Sequence, residues 1–145
     1  MPVAGRVHYL EERPSPDVRS RGALVFLHAF PLNAQMWDAQ LAACAERGWH
    51  AIAPHMRGFG DVAKRPQGSD PGSDPVADSA VDDYAAEVID LLDSLHIHEA
   101  VIVGLSMGGY VALAIAVLAV LAAATGFVPA RKASRLDPLV ALRDE

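Results

Sequence analysis

The sequence predicts an α/β fold in which a mainly parallel sheet carries helices on both faces. Three short apolar runs alternate with segments of helical periodicity, and this alternation is typical of strands joined by helical crossovers. The runs cover residues 23–27, 49–53 and 100–104. They are almost continuously apolar, as expected for strands buried on both faces. The 145 residues suffice for one small domain.

The segments around these runs are assigned from their own patterns. Residues 3–10 alternate loosely and predict a first strand, and the Pro-containing stretch 11–21 predicts a polar loop. Asn33 is expected to cap a helix that runs to about Arg47 and ends at Gly48. Its predicted buried face consists of Met36, Trp37, Leu41 and Cys44. A second amphipathic helix is predicted over residues 81–95, after a Pro-, Gly-, Ser- and Asp-rich loop over residues 64–79.

Composition narrows the function classes. The net charge of −6, without a basic footprint, argues against a nucleic-acid partner. Cys44 is the only cysteine, so no internal disulfide can form, and its helical setting favours an inert thiol. The N-terminus lacks the apolar run of a secretory signal, so we expect a cytoplasmic protein. No cofactor and no metal site are predicted.

A nucleophilic serine is indicated by the motif Gly104-Leu105-Ser106-Met107-Gly108, which is followed by Gly109. It lies where a buried strand gives way to a helix, which is the context of a nucleophile elbow. The glycines allow a sharp turn in which side chains would collide, and the turn raises the serine hydroxyl above the sheet edge. The N–H of Met107 is then available to an oxyanion. The structural alternative is a Gly-rich turn with an N-capping serine.

A second segment supports this interpretation. His28-Ala29-Phe30-Pro31 directly follows a buried strand, where this architecture places the other oxyanion donor. The backbone N–H of Phe30 is the candidate, because Pro31 has none. His28 is either a structural residue bonded to the backbone or a general base, and the first role is favoured.

Four blocks of sequence, in order and at suitable spacing, give a more specific resemblance. They are His28-Ala29-Phe30-Pro31-Leu32-Asn33 with Trp37, Arg57-Gly58-Phe59-Gly60, Asp82-Asp83-Tyr84, and Gly104-Leu105-Ser106-Met107-Gly108-Gly109-Tyr110. Over residues 3–115 the chain resembles the α/β-hydrolase superfamily, above all small esterases, enol-lactonases and haloperoxidase-like enzymes. The resemblance implies that Ser106 is the nucleophile and that Phe30 and Met107 supply the oxyanion hole. The family usually has Gly at position 29 and Asp at position 55, where this chain has Ala29 and His55.

The remaining catalytic groups are not found. In this fold the acid and the histidine follow the serine along the chain. After Ser106 the acids are Asp137, Asp144 and Glu145, and there is no histidine. A serine without a base is a weak nucleophile. The sequence therefore predicts a truncated hydrolase with little or no turnover, and the acid and base stay unassigned.

The C-terminal part follows another pattern. Residues 100–130 contain no charge, and residues 111–124 are almost entirely Ala, Val, Leu and Ile, which approaches the length of a membrane span. The polar ending comprises Val128-Pro129-Ala130-Arg131-Lys132-Ala133-Ser134-Arg135-Leu136-Asp137-Pro138 and Ala141-Leu142-Arg143. Over residues 116–145 the chain resembles the C-terminus of macrolide-exporter-type ABC transporter permeases. The alternative is a buried Ala-rich helix with a basic end.

Two domains and two functions follow from these patterns. Residues 1–115 are predicted to be a partial hydrolase domain, and residues 116–145 an apolar helix with a basic tail. The leading hypothesis is a serine hydrolase acting on a small-molecule ester, lactone or similar carbonyl substrate. The other is a non-enzymatic protein, either a remnant or an inner-membrane protein anchored through residues 109–128, with its basic end in the cytoplasm.

Overall fold

The computed structural model describes the backbone of residues 3–4, 7–59 and 80–133, and the side chains of residues 7–59 and 80–125. The chain divides into two compact units, Met1–Ile115 and Ala116–Glu145, which are described separately. The predicted loop over residues 64–79 lies outside the described residues. The assignment of residues 1–115 to a partial hydrolase domain and of residues 116–145 to a permease-like segment stays a prediction. A division into two compact units does not show which protein family each unit comes from.

The first unit is built on a five-stranded sheet in the order β1-β2-β4-β3-β5. The strands are β1 (Val3–Ala4), β2 (Val7–Glu12), β3 (Gly22–Leu27), β4 (Trp49–Pro54) and β5 (Ala100–Gly104). β4, β3 and β5 run parallel, whereas β2 pairs antiparallel with both β1 and β4. The three apolar runs are therefore the parallel strands of the sheet, which confirms the predicted fold class. The prediction that each run is buried on both faces is wrong for β5, which is the last strand in the sheet order, and Val101 in it is 51% exposed.

The first predicted strand is wrong in detail. Residues 3–10 form two short antiparallel strands, with Ala4 opposite Val7. The second of them, β2, continues through Glu12 into the predicted loop, because its ladder with β4 extends to the pair Glu12 and Ala51. Long-range pairing therefore decides where this strand ends, which the local alternation could not indicate.

The predicted helix after Asn33 is divided into two elements. A 3-10 helix spans Ala34–Trp37, and helix α1 follows over Asp38–Ala45. The Asn33 side chain accepts a hydrogen bond from the N–H of Gln35 at 3.0 Å, as expected of a cap. The N–H of Met36 donates to the Asn33 carbonyl, which sets the tight i to i+3 pattern of this first turn.

The two faces of the sheet bury different residues of β3. Leu24 and Phe26 pack on the side of α1, in a cluster that includes Leu41. Val25 and Leu27 pack on the opposite side, against α2 (Val81–Ser94) and the first turns of α3 (Met107–Ala133). Helices thus cover both faces, as the alternation predicted. Trp37 and Cys44 lie partly buried beside the α1 cluster, which agrees with the predicted face.

The second unit contains the C-terminal part of α3. All its described side chains, from residue 116 to residue 125, are exposed. The stretch Met107–Thr125 has a mean hydropathy of 2.3, so it is long and apolar enough to cross a bilayer, judged by length and composition alone. An exposed apolar helix of this kind is unusual in a soluble domain.

Candidate active site

The predicted oxyanion segment and the predicted nucleophile leave the sheet side by side. The parallel ladder between β3 and β5 ends at the pair Leu27 and Gly104. Beyond this pair the N–H of Leu105 still donates to the Leu27 carbonyl at 3.2 Å. The segments that begin at His28 and Leu105 therefore start from the same point of the sheet, at the carboxyl ends of two parallel strands. Ligand sites in open α/β sheets lie at such ends.

Ser106 has the backbone conformation expected of an elbow. Its φ angle is +53°, in the left-handed region that non-glycine residues seldom adopt, and its side chain is exposed. Helix α3 begins at the next residue, and the N–H groups of Gly109 and Tyr110 donate to the Ser106 carbonyl. The hydroxyl is thus held at the N-terminus of a helix, where the macrodipole favours negative charge.

Two of the three predicted elbow glycines are required by close contacts. A β-carbon on Gly104 would lie 2.2 Å from the Gly108 carbonyl oxygen, and one on Gly108 would lie 2.2 Å from that of Leu27. Both distances are impossible for real atoms, so these positions exclude any side chain. Gly109 differs, because its nearest neighbour would be 3.8 Å away, which is ordinary van der Waals contact. The collision argument made from the sequence therefore applies to Gly104 and Gly108 only.

Both predicted oxyanion donors have N–H groups for which the described residues supply no acceptor. Among the residues that the structure describes, the N–H of Phe30 and the N–H of Met107 have no hydrogen-bond partner. Ala29, between His28 and Phe30, instead donates to the Met36 sulfur at 3.5 Å. An N–H at the first position of a helix lacks an intrahelical acceptor. Both groups are thus available to an anionic oxygen.

An aromatic cluster supports the oxyanion segment. The ring of Phe59 lies edge-on to Phe30, with centroids 5.9 Å apart, and 5.2 Å from the ring of His28. Phe59 is buried, whereas 61% of Phe30 is exposed. The cluster therefore packs against part of the Phe30 ring and leaves the rest of it exposed beside the candidate site.

His28 has a structural position. It is fully buried, and its Nε2 accepts a hydrogen bond from the N–H of Met56 at 3.1 Å. Its proton is therefore on Nδ1, which donates to the Ala29 carbonyl at 3.2 Å. Burial lowers the pKa of His28 below its ordinary value of 6.5, and the bond to Ala29 only partly opposes this effect. A neutral ring with both nitrogens engaged fits the favoured structural role.

The turn after β4 is braced by residues whose roles the sequence did not reveal. His55 is buried, its N–H donates to the His8 carbonyl, and its Nδ1 accepts from the N–H of Ala34 at 3.4 Å. The Tyr84 hydroxyl donates to the Arg57 carbonyl at 3.3 Å, and the Arg57 side chain pairs with Glu87. Two signals were available in the sequence: Tyr84 and Arg57 belong to the resembling blocks, and His55 stands where the family usually has Asp.

Among the described residues, no base lies beside the serine. The Ser106 hydroxyl has no hydrogen-bond partner within the described part of the chain. The same part contains no group of His, Cys, Asp and Glu side chains that could hold a metal ion. The described geometry can thus present a hydroxyl and two oxyanion donors, without a neighbouring group to remove the serine proton.

Comparison with known proteins places this geometry in a family. A family model described as "Alpha/beta hydrolase family" matches residues 24–144, which is most of the chain. The chain belongs to the alpha/beta hydrolase family. The match agrees with the strand order and with the resemblance drawn from the four sequence blocks.

The sequence relatives of this chain include proteins named as chloroperoxidases and as epoxide hydrolases. It is 34% identical over 86 residues to a non-heme chloroperoxidase from Burkholderia pyrrocinia, covering 59% of this chain and 27% of that protein. It is also 34% identical over 107 residues to an epoxide hydrolase from Caballeronia sordidicola, covering 70% and 27%.

Solved structures give the same family. A thermophilic esterase from Thermogutta terrifontis superposes with a TM-score of 0.58 at 28% identity, covering 76% of this chain and 35% of the esterase. An epoxide hydrolase from Vigna radiata gives a TM-score of 0.60 at 26% identity, covering 75% and 30%. The hydrolase chain thus spans roughly a third or less of each of these relatives.

Proposed function

We propose that this chain carries the nucleophile and the oxyanion-binding part of a serine hydrolase site for a small ester, lactone or similar carbonyl compound. The positive φ of the exposed Ser106, directly before a helix, carries this proposal. A conformation of this kind persists only where surrounding contacts impose it, and such strain is frequent at functional positions. The contacts of Gly104 and Gly108 impose it here.

In the proposed reaction the Ser106 Oγ attacks the substrate carbonyl carbon, and the carbonyl electron pair moves to its oxygen. The N–H groups of Phe30 and Met107 donate to that oxyanion, since neither has another described acceptor. The serine proton must pass to a base. None stands beside Ser106 in the described residues, so the acid and the base stay unassigned.

The expected rate follows from the lack of a base beside Ser106 among the described residues. Oxyanion stabilisation and binding alone leave roughly 10³ to 10⁴ of rate enhancement in serine proteases that lack their triad. The described site has two oxyanion donors and no neighbouring base, so we expect slow acylation of Ser106 and negligible turnover.

A fluorophosphonate probe tests the proposal, because it forms a stable bond with an activated serine and its phosphoryl oxygen occupies the oxyanion position. After prolonged incubation, peptide mapping should find the label on Ser106. Ser94, which is also exposed but lies at the end of α2, is the internal control. The Ser106→Ala variant should remain unlabelled. Equal labelling of Ser94 and Ser106, or no label on Ser106, would contradict the proposal. Rapid hydrolysis of a p-nitrophenyl ester that depends on Ser106 would contradict the expected negligible turnover.

A second candidate is a membrane anchor, proposed for residues 109–128, and one observation favours it. Val117, Val120 and Leu121 are all at least half exposed on a helix with a mean hydropathy of 2.3. Arg131, Lys132 and Arg135 follow this stretch in the sequence, which fits a cytoplasmic C-terminal side under the positive-inside rule. The permease-like origin of residues 116–145 belongs to this candidate.

Membrane fractionation separates the two candidates. An anchor predicts that the chain remains with membranes after alkaline carbonate extraction, and that Val120→Arg shifts it to the soluble fraction. The matched variant Glu46→Arg, which lies on the surface of the first unit, should leave the distribution unchanged. Recovery of the unaltered chain as a clean soluble monomer contradicts the anchor and favours a cytoplasmic protein.

A further inference from the structure

The arginines of the first unit fall into two groups. Side chains are described for five of them, namely Arg13, Arg19, Arg21, Arg47 and Arg57. Arg13 pairs with Glu11, and Arg57 pairs with Glu87. The other three have no ion pair with any described residue. This contrast matters in a chain with a net charge of −6, where acidic partners are abundant.

The three unpaired arginines line one cleft. It has a volume of about 580 Å³ and is lined by Val18, Arg19, Ser20, Arg21, Arg47 and Trp49. This volume lies within the range of roughly 300–1,000 Å³ that small-ligand pockets occupy. No acidic side chain is among the lining residues, although Asp17 and Glu46 are adjacent in sequence. The positive charges of the cleft are therefore not neutralised from within it.

The backbone that carries these side chains is fixed by close contacts. The N–H of Arg21 donates to the Gly48 carbonyl at 2.8 Å, which ties the two walls together. Gly48 has a φ of +92°, and a β-carbon there would lie 2.3 Å from the Arg19 carbonyl oxygen. The Arg47 Nη1 also donates to the Ala43 carbonyl at 2.6 Å. A ligand would thus need to order side chains and not the loop, which reduces the free energy lost on binding.

The cleft lies away from the candidate active site. It surrounds the first residues of β3 and β4, Gly22 and Trp49, which are opposite each other in the parallel ladder. Ser106 follows the last residue of β5. Parallel strands begin at one edge of a sheet and end at the other, so the two sites lie at opposite edges.

We propose that this cleft is an anion site for a small soluble compound with two or more negative charges on phosphate-type oxygens. Guanidinium groups match such oxygens in geometry and charge and remain protonated at all relevant pH values. Guanidinium groups that line one cleft and have no carboxylate partner among the described residues repel one another, and a multiply charged anion relieves that repulsion. The site does not depend on the proposed hydrolase reaction.

Binding of inorganic tripolyphosphate to the full chain, measured by isothermal titration calorimetry, tests the site. We expect saturable binding with one site per chain, weaker binding of orthophosphate, and a loss of affinity as salt is raised. Arg19→Gln and Arg21→Gln should each raise the Kd about tenfold, the lower end expected for a charge-assisted hydrogen bond at an exposed position. Circular dichroism should show that both variants keep the wild-type fold.

Arg57→Gln is the matched control, because it removes the same charge from a position after the carboxyl end of β4, whereas the cleft lies at the start of that strand. It should change the Kd less than about twofold, since salt screens an exposed charge at that separation. Equal weakening by all three variants, or no saturable binding by the unaltered chain, overturns the proposal. The chain could instead bind phosphatidylglycerol vesicles in a way that requires Arg19 and Arg21, without binding tripolyphosphate. That result would show that the cleft binds lipid headgroups and would overturn the proposal of a small soluble ligand.

Discussion

Gly108 lies directly against the backbone of Leu27. A β-carbon on Gly108 would be 2.2 Å from the Leu27 carbonyl oxygen and 2.8 Å from the Leu27 β-carbon. The first turn of α3 therefore packs onto the end of β3 at backbone distance. This contact holds the Ser106 turn against the strand that leads to Phe30, and so links the two halves of the candidate site.

The Gly108 contact predicts that a single methyl group added at this position strongly destabilises the fold. Gly108→Ala should lower the free energy of unfolding by about 3 kcal/mol or more, because the clash is with backbone and cannot be relieved by a side-chain rotation. Gly109→Ala is the matched control, with its nearest neighbour at 3.8 Å. It should be neutral or stabilise by up to about 1 kcal/mol, since Ala favours helix. Urea unfolding measures both, and comparable losses in the two variants would contradict the packing.

The conformation of Ser106 predicts a gain in stability when its side chain is removed. Glycine adopts a φ of +53° without penalty, whereas residues with a β-carbon lose roughly 1–2 kcal/mol there. Ser106→Gly should therefore be about 1 kcal/mol more stable than Ser106→Ala, although both lack the hydroxyl. Thermal or urea unfolding of the pair checks this. A less stable glycine variant would show that the turn is not strained.

Protonation of His28 should weaken the fold at mildly acidic pH. Burial lowers its pKa in the folded chain, so the unfolded chain binds the proton at a higher pH than the folded one. The stability contributed by neutral His28 is complete above 6.5 and is lost as the pH falls from there toward the folded-state pKa. The slope attributable to this group is at most about 1.4 kcal/mol per pH unit.

The His28→Gln variant isolates this contribution. Its amide oxygen can still accept from the N–H of Met56, but it does not titrate. Urea unfolding between pH 7.5 and 5, an interval chosen around the ordinary histidine pKa, should give a shallower pH dependence for the variant than for the wild type. Identical slopes would show that other groups cause the acid sensitivity.

The cap at Asn33 should contribute moderately to the free energy of unfolding. Its side chain accepts from the N–H of Gln35, so Asn33→Ala leaves that donor without its partner. The expected loss is about 1 kcal/mol. Asn33→Asp keeps an acceptor oxygen at the same place and should lose less than about 0.5 kcal/mol. Equal losses in these two variants would mean that the side chain does not act as a cap.

Local sequence was a good guide wherever a residue's role depended on its immediate neighbours. The strand over residues 100–104 was predicted with the bounds that the structure shows, because it is short, apolar and closed by glycine. The helix predicted over 81–95 differs from α2 by one residue. The first strand and the helix after Asn33 were less accurate, since their limits depend on the ladder with β4 and on a 3-10 turn.

The same distinction between local and long-range contacts applies to the candidate site. The elbow motif could be found from the sequence because its glycines lie within five residues of one another. The support that His28 receives from Met56 and Phe59 could not be found, because those contacts join residues about 30 positions apart. The arginine cleft was missed for the same reason, since Arg19 and Arg21 come to line one cleft with Arg47 only in the folded chain.

The amino-acid sequence by itself determined the alternation of strands and helices, the family and the position of the serine turn. Those depend on apolar periodicity and on glycine, which act over a few residues. Tertiary structure alone decided which glycines lack space for a side chain, which histidine is buried neutral, and which arginines have no carboxylate partner within the described part of the chain. These properties arise when distant segments pack, because burial and ion pairing are set by neighbours in space.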